Sequence, residues 1–220
     1  MRNRAPSSSL DFNLYLITDR QATGGRDLVL VVEEALKGGV KAVQLREKDL
    51  SSRDLYELAF AMRKLTERYD AALFINDRVD IALAVDADGV HLGGNSLPIH
   101  RARKVLGKKR LIGVSCHNQV NALSAQDFGA DFITYGPVFH TPSKAAFGSP
   151  VGVNSLKEVA PRLRIPVFAL GGINSRNARQ AISAGVHGIA LISAVIAAEN
   201  PCEETKTLLA LLPPGTREEQ

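Results

Sequence analysis

Between Asp131 and Lys144 the chain reads Asp-Phe-Ile-Thr-Tyr and then Gly136-Pro-Val-Phe-His-Thr-Pro-Ser-Lys144. An apolar, strand-like run thus opens into two hydroxyls, Thr141 and Ser143, and one ammonium, Lys144. Small residues and breakers follow, so a long connection is expected before the next helix, and long connections in compact domains are commonly functional. Hydroxyls plus a lysine supply several donors and a positive charge, which suits a phosphate or diphosphate. The same residues taken alone also suit a plain solvated loop. The segment 141–148 is expected to stand open without ligand and to close over it, with Gly136, Gly148 and Gly152 as permissive backbone. Exclusion of water would be the purpose of closure.

The elements that must position this loop follow from hydropathy. Apolar runs without polar alternation at 14–18, 41–45, 72–75, 89–92, 111–114, 131–135, 166–170 and 188–191 read as strands buried on both faces. Helical spacing is expected over 27–36, from Ser51 or Ser52 to 68, and over 79–84, 98–106 and 119–128. Further helices are expected over 155–163 (interrupted or tightly started near Pro161), 174–184 capped by Asn174, 193–199 and 202–212. A faint repeat introduces the even-numbered strands: Gly39-Val-Lys-Ala-Val, Asp86-Ala-Asp-Gly-Val, Gly129-Ala-Asp-Phe-Ile and Gly185-Val-His-Gly-Ile. Eight strand–helix units predict an α/β fold, a single-domain (β/α)₈ TIM barrel over 13–213. Residues 1–12 are expected to be disordered and 214–220 to form a loose tail.

In such a barrel the site lies at the C-terminal ends of the strands. Those ends carry Asp19 and Arg20; Gln44, Arg46 and Lys48; Asn76 and Asp77; His91, Gly93 and Gly94; Ser115 and His117; Thr141, Ser143 and Lys144; Gly171 and Gly172; Ile192 and Ser193. Singly, each has an ordinary alternative. Arg46 and Glu47 suit a surface pair, Asp77 a helix cap, His91 a hydrogen-bonded turn residue, and Gly171-Gly172 a tight turn. Jointly they divide into two anion sites. Glycine backbone and helix N-termini after the seventh and eighth strands favour a phosphate. Across the mouth, Arg46, Lys48, Asn76, Asp77 and Lys144 make the cluster expected for a diphosphate that chelates Mg²⁺, with Asp77 as metal ligand. Two such sites imply two phosphorylated substrates, or one long one.

Composition excludes several classes. The 220 residues are 45% apolar and 23% charged with a formal charge of +4, ordinary values for a globular chain. No apolar run approaches the roughly 20 residues that span a bilayer. The basic stretch 1–9 lacks the apolar core of a secretory signal, and Cys116 and Cys202 form neither a metal spacing nor a disulfide framework. A cytoplasmic protein acting on small phosphorylated molecules is expected, with no nucleic-acid or membrane partner; composition leaves room for a homo-oligomer.

These motifs together resemble the thiamine-phosphate synthase family. The resemblance rests on Leu14-Tyr-Leu-Ile-Thr-Asp19, Val43-Gln-Leu-Arg-Glu-Lys48, Ile75-Asn-Asp77, Ala87-Asp-Gly-Val-His-Leu-Gly93, Ile112-Gly-Val-Ser115, Tyr135-Gly-Pro-Val-Phe139, Thr141-Pro-Ser-Lys144, Leu170-Gly-Gly-Ile173 and Ile192-Ser193. It implies that hydroxymethylpyrimidine diphosphate loses pyrophosphate and that the nitrogen of thiazole phosphate captures the pyrimidinylmethyl cation. It assigns Gln44, Arg46, Lys48, Asn76 and Lys144 to the pyrimidine diphosphate, Asp77 to Mg²⁺ and Ser115 to the pyrimidine. Thr141, Ser143, Gly172, Ile192 and Ser193 fall to the thiazole phosphate. Arg46, Lys48, Lys144 and Ser115 would carry the catalysis. In one respect the sequence departs from the family: a Gln and a second metal-binding Asp are replaced by Gly94 and Ser96. Two other readings remain open, a thiazole tautomerase of the same superfamily relying on His117, and a non-catalytic sensor of thiamine precursors.

Overall fold

Strands that are apolar on both faces must be covered on both, and a sheet of them has no stable edge until it closes. The computed structural model, which describes residues 10–141 and 149–213, shows that closure. Strands β1 (Leu14–Ile17), β2 (Ala42–Leu45), β3 (Ala72–Asn76), β4 (Gly89–Leu92), β5 (Leu111–Cys116), β6 (Phe132–Tyr135), β7 (Val167–Leu170) and β8 (Gly188–Leu191) pair in chain order, and β8 returns to β1. Every pairing is parallel, with Ile17 beside Gln44, Asn76 beside His91 and Ser115 beside Thr134. The fold is the expected (β/α)₈ TIM barrel.

Around it lie α1 (Leu28–Lys37), α2 (Ser52–Arg68), α3 (Val79–Ala84), α4 (Ile99–Leu106), α5 (Gln119–Asp127), α6 (Gly152–Val159), α7 (Ala178–Ile182), α8 (Ser193–Ile196) and α9 (Pro201–Leu209). Among the described residues, no helix is long and apolar enough to cross a membrane. Ser51 caps α2 by accepting from the Asp54 N–H, and the chain passes Pro161 in a 3-10 turn, Ala160–Arg162.

Two expectations change. Asn174 does not cap a helix: its N–H donates to Asn177 Oδ1 and its own Oδ1 accepts from the Arg176 N–H, so an asparagine-stabilised turn delays α7 to Ala178. Phe12, placed by sequence in the N-terminal segment outside the barrel, is part of the packed interior and 7% exposed. Residues 1–9 and 214–220 lie outside the described residues.

The faint repeat has a physical meaning. Gly39, Asp86, Gly129 and Gly185 all adopt positive φ, at 113°, 53°, 92° and 80°. The Gly39 and Val40 N–H groups return to the carbonyls of Leu36 and Ala35, and the turns at Asp86 and Gly129 repeat this pattern. It is the bond pair of a Schellman helix ending. Two residues further on, each repeat seals the lower rim. Lys41 Nζ donates to the Tyr69 carbonyl, and the His187 ring meets the Phe12 carbonyl. Asp88 accepts from the Leu73 N–H and Arg63, while Asp131 accepts from the Ile112 N–H and Arg103. Such residues at the N-terminal face serve stability.

The barrel interior is a stack of rings. Phe12 closes the bottom against Phe168 (5.3 Å between centroids), and Tyr15, Phe74 and Phe132 meet edge to face at 5.4 Å above it. Gly89 and Gly113 make the room. A Cβ at Gly89 would lie 2.8 Å from the Phe74 ring, and one at Gly113 would lie 2.5 Å from His91 Nδ1. His91, on the inner face of β4, is only 2% exposed. Burial depresses its pKa to about 3, with the Asp77 carboxylate opposing and the Arg46 guanidinium adding to the effect.

Two predictions follow from this interior. Phe12→Ala should cost about 3 kcal/mol or more of unfolding free energy, the usual penalty for emptying a buried aromatic site, and chemical denaturation would measure it. A loss below about 1 kcal/mol would mean that the ring does not plug the barrel. For His91, the unfolded imidazole protonates near pH 6.5 and the folded one only near 3. Between those values the unfolded state binds the extra proton, so stability falls as pH falls, by up to about 1.4 kcal/mol per pH unit from this group. Denaturation of wild type and His91→Asn in metal-free buffer should show this component of the slope only in the wild type; parallel slopes would contradict a neutral buried His91.

Candidate active site

At the end of β1, Thr18 is fully buried and works as a clamp. Its N–H bonds the Gln44 carbonyl (2.9 Å), its hydroxyl donates to Glu47 Oε1 (2.6 Å), and Oγ1 accepts from the Arg46 N–H (2.9 Å). Glu47 also accepts from the Arg20 N–H at 3.2 Å to each oxygen. Burial raises its carboxyl pKa, against the lowering effect of these bonds. The sequence alternative of an Arg46–Glu47 surface pair is therefore wrong: Glu47 is 6% exposed and turned toward Thr18 and Arg20. With Glu47 held inward, Arg46 is half-buried and Lys48 is exposed. Arg20 forks onto Asp49 at 2.7 Å through both terminal nitrogens, instead of joining the mouth cluster.

At the end of β3, Asp77 takes a left-handed conformation, φ 61°, that is uncommon for a non-glycine residue and tolerated best by Asp and Asn. Its N–H bonds the His91 carbonyl (3.0 Å), and the Asn76 amide donates to Oδ2 (2.7 Å). It does not cap α3, whose cap position is Arg78 with no side-chain bond. The Ser96 hydroxyl donates to Asp77 Oδ1 and accepts from the Gly93 N–H, joining the loops after β3 and β4. A hydroxyl and an amide N–H thus flank one half-buried carboxylate. Among the described residues there is no cluster of three or more His, Cys, Asp or Glu side chains that could hold a metal. A lone carboxylate with hydroxyl and amide neighbours is compatible with a cation held mainly by water and phosphate, as Mg²⁺ commonly is.

Beneath the mouth, Gln44 is 1% exposed and donates to Tyr15 Oη (3.1 Å). Tyr15 Oη lies 3.4 Å from His91 Nδ1, and His91 Nε2 lies 3.0 Å from Ser115 Oγ. His91 is thus an interior strand residue rather than the turn residue expected. His117 is exposed, with Nδ1 2.5 Å from the Gly136 carbonyl.

On the opposite side, the chain after β6 lies against β7. The Val138 and Phe139 N–H groups bond the Leu170 and Gly171 carbonyls at 2.8 and 3.0 Å. Gly172, φ 66°, lies so close that a Cβ would sit 2.5 Å from the His140 carbonyl. Because α7 starts only at Ala178, β7 presents glycine backbone and no helix end; Ser193, exposed, opens α8 directly after Ile192. Thr141 is half-buried at the edge of the described chain. Ser143, Lys144 and the rest of the expected lid, 142–148, lie outside the described residues.

The barrel therefore sets Gln44, Arg46 and Lys48 in or just after β2, Asn76 and Asp77 at the end of β3 and Ser115 in β5, with Gly172 after β7 and Ile192 and Ser193 after β8. A surface hollow of about 610 Å³ between α1 and the start of α9, lined by Arg26, Leu30 and Pro201, contains none of them. Sequence reasoning passed over Tyr15, Thr18, Glu47 and Thr134. The signal available was a hydroxyl inside an otherwise apolar run, as in Leu-Tyr-Leu-Ile-Thr.

The family model described as "Thiamine monophosphate synthase" matches residues 14–195. A Geobacter sulfurreducens protein, provisionally named a thiamine-phosphate synthase, is 60% identical over 96% of this chain and 100% of its own length. The thiamine-phosphate synthase of Clostridium novyi is 45% identical over 90% of this chain and 98% of its own. The solved thiamine phosphate pyrophosphorylase of Pyrococcus furiosus superposes with a TM-score of 0.84 at 42% identity, covering 90% of this chain and 94% of that one. The strand-end residues and the barrel that carries them therefore identify the chain as a member of the thiamine monophosphate synthase family.

Proposed function

We propose that this transferase joins hydroxymethylpyrimidine diphosphate to thiazole phosphate by ionisation of the diphosphate, assisted by Mg²⁺. The C–O bond to the diphosphate breaks with its electron pair leaving on pyrophosphate. The lone pair of the thiazole nitrogen then forms the new C–N bond. No side-chain nucleophile is needed. The observation that carries this reading is the placement of two cations, Arg46 and Lys48, just beyond the C-terminal end of β2. Among the described residues Arg20, Arg63, Arg78, Arg103 and Arg110 each meet a carboxylate, whereas Arg46 and Lys48 enter no ion pair. Cations left unmatched at a barrel mouth stabilise negative charge as it develops on a leaving group.

In this reading Arg46, Lys48, Asn76 and Lys144 hold the diphosphate, and Gln44 and Ser115 orient the pyrimidine. Thr141, Ser143, the Gly172 backbone, Ile192 and Ser193 hold the thiazole phosphate. Asp77 would bind the metal, with the Ser96 hydroxyl and Asn76 amide beside it. When bound, Mg²⁺ would supply further charge neutralisation on the pyrophosphate. Two free cysteines, Cys116 buried and Cys202 half-buried, suit a reducing cytoplasm. The tautomerase reading gains nothing from the unpaired cations, since it has no diphosphate to hold.

An assay with both substrates and Mg²⁺ should yield thiamine phosphate and pyrophosphate in equal amounts. Asp77→Ala should abolish turnover. Ser96→Asp would put a second carboxylate against Asp77, lowering the Mg²⁺ concentration for half-maximal rate and making thermal stability depend on Mg²⁺. Wild-type turnover in Asp77→Ala would refute the metal assignment. Lys144→Ala should lower kcat by roughly two orders of magnitude or more, as expected when a transition-state charge partner is removed. A fall in activity on His117→Ala combined with indifference to Lys144→Ala would point instead to acid–base tautomerisation.

A further inference from the structure

We propose that Tyr15, His91 and Thr134 are positioning residues that fix the hydrogen-bond polarity of the pyrimidine subsite, so that Gln44 accepts, Ser115 donates, and an amino-substituted ring is selected over its oxo analogue. The proposal rests on the function proposed above and deepens it. Its material is a polar chain where a barrel interior would otherwise be apolar. Tyr15, Gln44, His91 and Thr134 are 0%, 1%, 2% and 1% exposed, and only Ser115, half-buried, reaches toward the mouth. Buried polar groups are costly unless satisfied, and a satisfied network holds its members in one arrangement.

The direction of the chain follows from counting protons. The Gln44 Nε2–H donates to Tyr15 Oη at 3.1 Å. Tyrosine has one hydroxyl proton, and the acceptor in reach is His91 Nδ1 at 3.4 Å. A neutral imidazole that accepts at Nδ1 carries its proton on Nε2. That N–H faces Ser115 Oγ, 3.0 Å away, with Thr134 Oγ1 farther off at 3.4 Å. Thr134 Oγ1, 3.4 Å from Ser115 Oγ, donates to the same oxygen. Ser115 then has both lone pairs engaged, and its proton is left for a ligand. At the other end, one Nε2 proton of Gln44 goes to Tyr15, which sets the way the amide faces and leaves its carbonyl oxygen to accept from a ligand.

An acceptor at Gln44 and a donor at Ser115 suit a ring that offers an amino N–H and a bare ring nitrogen. The pyrimidine of the proposed substrate has this edge. A 4-oxo analogue inverts it, with a carbonyl where the amino group was and an N–H at the ring nitrogen. To read that edge, Ser115 would have to accept instead of donate, so the bonds from His91 and Thr134 that occupy its oxygen would have to be rearranged. A site committed to one hydrogen-bond pattern rejects the inverted ligand strongly, because buried groups would be left unpaired.

Two measurements test this. In wild-type protein with ¹⁵N-labelled histidine, the His91 ring should be the tautomer protonated at Nε2 with Nδ1 bare. In steady-state kinetics, wild type should prefer the amino pyrimidine diphosphate over its 4-oxo analogue by roughly 100-fold or more in kcat/KM. Tyr15→Phe releases Gln44 and should cut that preference at least about tenfold, mainly by raising KM for the amino substrate, with KM for thiazole phosphate unchanged. Thr134→Val should do the same, and Thr134→Ser should restore the preference. A His91 proton on Nδ1, or undiminished selectivity in folded Tyr15→Phe and Thr134→Val, would overturn the proposal while leaving the synthase reading intact. If the wild type formed no thiamine phosphate from both substrates and Mg²⁺, the synthase reading would fail and this inference with it.

Discussion

Closure of the sheet is the constraint on which everything else depends. Eight strands of four to six residues enclose a space that only their own inward side chains can fill, so the choice at one position limits the choice on its neighbours. Glycine at 89 and 113 is the counterpart of phenylalanine at 74 and 132 and of histidine at 91. The filling grades upward, from an aromatic plug under Phe12 to the tier of Tyr15, Gln44, His91, Ser115 and Thr134. That tier is a polar but uncharged floor. On the mouth side of that floor, charge sits on the loops, where it can be screened or matched by a ligand.

Much of this was legible in the sequence, for an identifiable reason. A parallel strand buried on both faces is a short apolar block, and a barrel forces such blocks to alternate with helices. The Gly39, Asp86, Gly129 and Gly185 repeat was visible because each turn needs a positive-φ residue at a fixed offset from the next strand, in a Schellman ending at the first three. What stayed hidden depended on contacts distant in sequence. Glu47 looked like the partner of Arg46, since nothing local reveals that Thr18, 29 positions earlier, takes its carboxylate. Asn174 looked like a cap because the competing Asn177 offers the same chemistry three residues later. Tyr15 and Thr134 looked like core residues, which they also are.

Asp77 and Ser96 illustrate how a departure from a family pattern can be absorbed locally. A second carboxylate at 96 would repel Asp77 unless a cation lay between them. A serine hydroxyl there satisfies the carboxylate directly and also takes the Gly93 N–H, so the two loops are tied together without a metal. The hydroxyl thus gives the two loops a pre-formed tie. The left-handed backbone at Asp77 is consistent with that arrangement: the His91 carbonyl and the Asn76 amide hold the residue from two sides, and such conformations persist only where the surroundings over-determine them.

The same logic explains why Arg46-Glu-Lys48 can read an anion although it contains one. Three consecutive charged side chains at a strand end would largely neutralise one another if all faced solvent. Here the middle one is withdrawn: Glu47 is anchored by the Thr18 hydroxyl and the Arg20 N–H and 6% exposed. A carboxylate used as an internal strut is already hydrogen-bonded and cannot swing out to compete for Arg46 or Lys48 without leaving the Arg20 N–H unpaired. Arg20 itself is occupied by Asp49, so the next cation along is removed from the cluster as well. Within Arg46-Glu-Lys48 the alternation of signs along the chain becomes a separation in space, with the Glu47 carboxylate turned inward and the two cations left on the rim. That separation is what an electrostatic catalyst of diphosphate departure requires, because donors and cations held in place before the reaction need not reorganise as charge develops.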